Sequence, residues 1–308
     1  GEPIAYALWA HCFSCTKDIF AASRVASGLT EHGIGVFRFD FTGLGASDGD
    51  FANTNFSSNI GDLLAAVDYM RENLKAPKIL IGHSLGGSAV LAAAGKVPEA
   101  NAVCTIGAPA DPKHVAKLFQ DKREEIDAKG EAEVLLAGRP FRIQKQFLED
   151  IESQKLENDI ATMKKALLVF HSPIDATVGI ENAGQIFAAA KHPKSFVSLD
   201  DADHLLSRKA DAVYVADVID AWVDRYLGDD QPPAAAVSSD PGTVVVTETG
   251  AGKFTNTISI GGIHTLTADE PASYGGNDSG PTHYDLLLSA LGACKSMTIR
   301  MYADHKGL

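Results

Sequence analysis

Lys78-Ile-Leu-Ile-Gly82-His83-Ser84-Leu85-Gly86-Gly87 joins an apolar run to the pattern G-x-S-x-G, and Gly87-Ser-Ala-Val-Leu-Ala-Ala-Ala then reads as a helix. A strand that turns so abruptly into a helix forces the turn residue into a strained backbone and presents its side chain at the strand's carboxyl end. Glycines two before and two after it leave room for strand and helix to approach closely. Ser84 is thereby the first candidate nucleophile.

Working outward, Ala166-Leu-Leu-Val-Phe-His171 is an apolar run of the kind buried on both faces of a parallel sheet. Asp175 follows it. Sites in open α/β sheets lie beyond the carboxyl ends of the strands, so Asp175 and Ser84 are expected at one edge of the sheet. The alternative role for Asp175 is capping a helix near Ile180, and Asp111, after the strand Ala102-Val-Cys-Thr-Ile106, is the second candidate acid. His204 follows the strand Ser195-Phe-Val-Ser-Leu199 and precedes a helix from about Arg208 to Tyr226, a position from which an imidazole reaches across the strand ends as general base. Its bland alternative is a solvated loop histidine. The neighbouring Asp203 lies too close along the backbone to orient the ring, but is placed to influence its charge.

In motif, spacing and strand context, Gly1 to about Leu227 resembles the α/β-hydrolase family. Two further segments carry the resemblance: Asp40-Phe-Thr-Gly43-Leu-Gly45-Ala-Ser47, similar to the family's D-x-x-G-x-G-x-S loop, and His171-Ser-Pro-Ile-Asp175-Ala-Thr-Val178 around the acid. The resemblance implies a triad of Ser84, Asp175 and His204 and an oxyanion hole built from the backbone N–H groups of Phe13 and Leu85. Cys12 stands where the family commonly has Gly, between His11 and Phe13.

Cys12 and Cys15 form one C-x-x-C, open to three readings: small side chains packed beneath the loop, a redox pair, or half of a metal site. No second C-x-x-C exists, so no metal and no cofactor is expected. A net charge of −13 argues against nucleic acid and anionic membrane surfaces as partners and leaves a small-molecule ester. Four cysteines in 308 residues make no disulfide framework, and no apolar run is long enough to span a bilayer; a cytoplasmic setting is the expectation.

The length and the Pro/Gly/Ser-rich stretch 228–242 divide the chain into an α/β domain over 1–227, a linker and a smaller unit over 243–308. Within the first, about 111–163 reads as a charged, mostly helical cap with a hairpin near Val134–Ile143. The family's usual opening strands are not expected in this sequence. The second unit begins with antiparallel strands, including a Gly261-Gly262 hairpin signal, and Thr282-His-Tyr-Asp285 caps a helix to about His305.

Gly280-Pro281 and Tyr284-Asp-Leu-Leu-Leu-Ser-Ala-Leu-Gly-Ala-Cys294 resemble the OsmC-like family of organic hydroperoxide reductases, over about half of such a domain. That resemblance implies a peroxidatic role for Cys294 and a possible homodimer. No cysteine follows Cys294 to resolve it, and an inert thiol is the plain alternative. The expectation for the whole chain is a serine hydrolase of small or medium acyl esters. A thiol peroxidase centred on Cys294, or a non-catalytic dimerising tail, are the alternatives. The chain is expected to be an internal piece of a hydrolase–OsmC-like fusion.

Overall fold

The computed structural model describes residues 2–136, 138–227, 242–250, 252–261 and 263–308. The chain forms two compact units, Glu2–Asp230 and Gln231–Leu308. The expected linker falls almost wholly outside the described residues, as does Gly262 of the hairpin signal.

The first unit is built on six strands: β1 (Ala5–Ala10), β2 (Ile34–Arg38), β3 (Ile79–His83), β4 (Ala102–Ile106), β7 (Ala166–His171) and β8 (Lys194–Ser198). They pair in parallel in the order β2-β1-β3-β4-β7-β8. Alternation sends successive side chains to opposite faces. Ala7 and Trp9 of β1, Ile79 and Ile81 of β3, and Leu168 and Phe170 of β7 join one core; Leu8, Leu80, Leu167 and Val169 join the other. Helices α1 (Phe20–Glu31) and α8 (Lys209–Val223) close the first core with Val25, Leu29, Val215 and Ile219. The second is closed by α2 (Phe56–Asn73), α3 (Leu85–Ala93), α5 (Lys145–Ser153), α6 (Leu156–Thr162) and α7 (Glu181–Ala189). With both faces covered, the strands carry continuous apolar runs, which is why they were legible.

Between β4 and β7 the cap comprises a 3-10 stretch (Pro112–Lys122), α4 (Arg123–Lys129) and the antiparallel hairpin β5 (Glu131–Leu136) and β6 (Arg139–Gln144), followed by α5 and α6. The hairpin is longer on its first strand than expected. Phe119, Phe147 and Leu148 are core, Leu135 is exposed, and Phe141 lies against the Phe51 ring at 4.8 Å.

The second unit has β9 (Val244–Glu248), β10 (Asn256–Ile260) and β11 (His264–Ala268) in one antiparallel sheet, with β10 central, and the helix α9 (His283–Lys306). Thr282 and Asp285 form a reciprocal capping box at the start of α9, so Asp285 is a cap. Among the described residues no helix is long and apolar enough to cross a membrane.

Candidate active site

Four adjacent parallel strands, β1, β3, β4 and β7, bring their carboxyl ends to one edge, and the loops leaving β1, β3, β7 and β8 carry the candidate residues. Ser84 adopts φ 54° and ψ −126°, a positive-φ conformation that a non-glycine residue holds only when its surroundings over-determine it. Here the Ser84 N–H donates to the Ile106 carbonyl at 2.9 Å and the Gly87 N–H donates to the Ser84 carbonyl at 2.8 Å. A Cβ on Gly82 would overlap the main chain of Gly86 and Gly87, and one on Gly86 would overlap the carbonyls of Ala10 and His11. Glycine is required at both positions by this close approach of backbones.

The Ser84 hydroxyl donates to His204 Nε2 at 3.0 Å, and His204 Nδ1–H donates to Asp175 Oδ2 at 2.7 Å. The tautomer follows from chemistry, since an ionised carboxylate only accepts. The Asp175 side chain is 2% exposed, and Oδ1 accepts the N–H groups of Thr177 at 2.8 Å and Val178 at 2.9 Å. Burial opposes its ionisation, but the hydrogen bond from His204 and those from the Val178 and Thr177 amides outweigh it, so its pKa falls below the ordinary carboxylate value. The arrangement can hold a neutral imidazole with its lone pair toward a hydroxyl and stabilise an imidazolium once a proton arrives.

Asp111 does not take part. It is the cap of the 3-10 stretch after β4, accepting the Lys113 N–H at 2.9 Å, and its own side chain is half exposed. Asp203 likewise serves its loop, accepting the Ser207 N–H at 2.8 Å. Sequence offered Asp111 as the second candidate acid, and the structure makes it a cap of its own turn instead; what sequence lacks is the direction in which each carboxylate points.

Three histidines that sequence reasoning passed over stand around this core. His83 is wholly buried; its Nε2–H donates to the carbonyl of His204 at 2.7 Å, tying the residue before Ser84 to the loop that carries the imidazole. Burial, reinforced by the proximity of His204, pulls the His83 pKa down to about 4. His171 donates through Nε2–H to the Val178 carbonyl at 2.8 Å, bracing the loop of Asp175. His11 donates through Nδ1–H to the Cys12 carbonyl at 2.8 Å and accepts the Phe41 N–H on Nε2 at 3.2 Å. Burial lowers its pKa, in keeping with that neutral tautomer. The only signal available for them was the clustering of His beside motif positions.

Phe13, after β1, has an N–H with no acceptor among the described residues. Leu85 opens α3, and the first N–H groups of a helix lack intrahelical acceptors. Asp40 secures the neighbouring loops: it accepts Lys17 Nζ at 2.7 Å, Lys17 N–H at 2.6 Å and Ala46 N–H at 3.0 Å, while Ser47 Oγ donates to its carbonyl at 2.6 Å. This accounts for the Asp and Ser of the D-x-x-G-x-G-x-S segment. Cys12 and Cys15 are joined as a disulfide with Cα atoms 5.2 Å apart. Among the described residues no cluster of His, Cys, Asp or Glu is arranged to hold a metal ion.

A cavity of about 650 Å³ opens over Ser84 and His204, with Phe13, Phe20, Leu118 and Leu205 giving it a mainly apolar wall. Arg139, first residue of β6, reaches over from the cap hairpin and donates to the Ser14 carbonyl. In the other unit Cys294 is exposed on α9, and its carbonyl accepts from Thr298 Oγ1 at 2.8 Å.

Residues 18–121 match the hydrolase family described as "Serine aminopeptidase, S33". The esterase domain of a Rhodothermus marinus protein is 54% identical, over 74% of this chain and 89% of that one, with a TM-score of 0.61. The mitochondrial palmitoyl-protein thioesterase ABHD10 of Mus musculus is 28% identical over 196 residues, 61% of this chain and 65% of that protein. Est1E of Butyrivibrio proteoclasticus, with ferulic acid bound, shares the fold at 20% identity and a TM-score of 0.63, covering 74% of this chain and 91% of that one. The match spans just under two thirds of the length of the curated relatives, 63% for the protein YfhR of Salmonella typhimurium. These likenesses give no support to an OsmC-like identity for Thr243–Leu308.

Proposed function

The chain belongs to the α/β-hydrolase family as a serine hydrolase of the esterase or thioesterase type, and from that premise we propose that it cleaves carboxylic esters of small or medium acyl groups through an acyl-enzyme on Ser84. The observation that carries this reading is the unbroken hydrogen-bonded series Ser84–His204–Asp175 on the floor of an apolar cavity. Ser84 Oγ attacks the acyl carbon while His204 Nε2 takes its proton, and Asp175 holds the ring and stabilises the imidazolium. The N–H groups of Phe13 and Leu85 receive the developing oxyanion. His204 then protonates the leaving alcohol, and water repeats the sequence to release the acid.

The apolar wall of Phe13, Phe20, Leu118 and Leu205 suits an uncharged acyl or aryl group, and a cavity of about 650 Å³ suits small or medium ones. A second reading, a long-chain thioesterase, is favoured by the likeness to the palmitoyl-protein thioesterase. The thiol-peroxidase alternative has no comparable constellation behind it, since Cys294 stands on an exposed stretch of α9 with no second thiol in its unit.

The test is release of p-nitrophenol from acetate, butyrate and octanoate esters, alongside a palmitoyl thioester, by wild type and Ser84→Ala. We expect turnover highest on acetate or butyrate and at least ~10³-fold lower in the variant. Turnover that survives in Ser84→Ala overturns the mechanism; a preference for the palmitoyl thioester selects the second reading.

A further inference from the structure

Resting on the esterase reading, we propose that the Cys12–Cys15 disulfide is a redox modification site in the acyl pocket, through which a small dithiol lowers turnover by releasing the oxyanion donor at Phe13. The two cysteines bracket Phe13 and Ser14, and both line the cavity that contains Ser84 and His204. A reductant small enough to enter as substrate does therefore reaches the bond.

The carbonyl of Cys12 belongs to the same peptide as the Phe13 N–H, and in a trans peptide the two point in opposite directions. That carbonyl accepts from His11 Nδ1–H at 2.8 Å and from the Cys15 N–H at 3.2 Å. Both bonds fix the plane of the peptide, and the Phe13 N–H has no acceptor among the described residues. The second of them closes a turn whose ends are the two cysteines. The disulfide is the covalent form of that closure: it keeps Cys15 over the Cys12 carbonyl and so keeps the peptide from rotating. Once it is cut, the hydrogen bond from His11 and the turn bond from Cys15 carry the whole task.

The chemistry balances with a dithiol as two-electron reductant. One of its thiolates attacks Sγ of Cys15, the less buried of the two residues, forming a mixed disulfide and expelling the Cys12 thiolate, which takes a proton from water. The second thiolate of the reductant then closes its own disulfide and expels the Cys15 thiolate, which is protonated in turn. Two electrons and two protons pass to the protein; an oxidant of the disulfide class, itself reduced to two thiols, takes them away again and restores the bond.

The test uses the full chain, oxidised with a cyclic disulfide or reduced with dithiothreitol. Thiols are counted by N-ethylmaleimide under denaturing conditions: two in the oxidised form, Cys104 and Cys294, against four in the reduced. Steady-state kinetics on p-nitrophenyl butyrate should show kcat about tenfold lower after reduction with KM within about twofold, the ceiling being the ~10²–10³ of losing the donor outright. Cys12→Ser/Cys15→Ser should stay at the reduced value in both buffers, and Cys294→Ser should respond as wild type does. Equal kcat in the two forms, with thiol counts differing by two, overturns the switch. So does an oxidised protein that still yields four thiols, or a response that disappears in Cys294→Ser. No turnover from either form, with the two-thiol difference intact, instead overturns the esterase reading beneath it.

Discussion

Acidification should weaken the first unit through His83, well above the pH at which its carboxylates are lost. The residue is wholly buried and its pKa lies at about 4 against an ordinary 6.5. Between those values the unfolded chain binds a proton that the folded one refuses, so the contribution is fully present above 6.5 and is lost as pH falls toward 4. From pH 7 to pH 5 the linkage amounts to about 2 kcal/mol, a large share of a domain's net stability. The perturbation that isolates it is His83→Gln, which does not titrate and whose amide retains a donor for the His204 carbonyl. His11, shifted in the same direction by burial, is common to both proteins and cancels in the difference. Urea unfolding followed by tryptophan fluorescence reports this unit alone, since the chain's two tryptophans, Trp9 and Trp222, both lie in it. Wild type should lose about 2 kcal/mol more than His83→Gln between pH 7 and pH 5. Parallel curves for the two proteins over that range would refute the assignment.

Two further outcomes are expected. Asp175→Asn keeps the hydrogen-bonding shape beside His204 but favours the wrong tautomer, so kcat for ester turnover should fall by about 10⁴ with KM little changed. Arg139→Ala removes the link from the cap hairpin to the Ser14 carbonyl; kcat/KM on p-nitrophenyl butyrate should fall about fivefold, as befits an exposed charge-assisted bond worth ~1 kcal/mol.

The parts of this molecule that announce themselves in the sequence are those set by local chemistry. Ile79–His83 reads as a strand because both its faces are buried, and Ser84 reads as the turn because only glycine fits two positions on either side. Asp175 and His204 were legible because each lies on the loop that leaves the carboxyl end of a sheet strand, β7 and β8. The capping box at Thr282 and Asp285 was legible for the same reason, being complete within four residues. What stayed hidden depends on which distant segments meet. Phe20, Leu118, Arg139 and Leu205 share one cavity although they come from α1, the cap and the His204 loop. Nothing near Asp111 distinguishes a carboxylate that caps its own turn from one that faces a histidine; in the structure the carboxylate that meets His204 is on the loop after β7, not the one after β4. His83 and His11 looked like spacers in their motifs, because their partners, the carbonyls of His204 and Cys12, have no side-chain signature.

The glycines at 82 and 86 bear on more than the turn they permit. Because the start of α3 rests against the carbonyls of Ala10 and His11, main chain on main chain, the gap between the amides of Leu85 and Phe13 is gauged by atoms that every sequence shares. Side chains around the cavity can be exchanged for other substrates without altering that calibre. The tolerance runs one way only: the walls are free to drift, while a single methyl group at either glycine would change the bore itself.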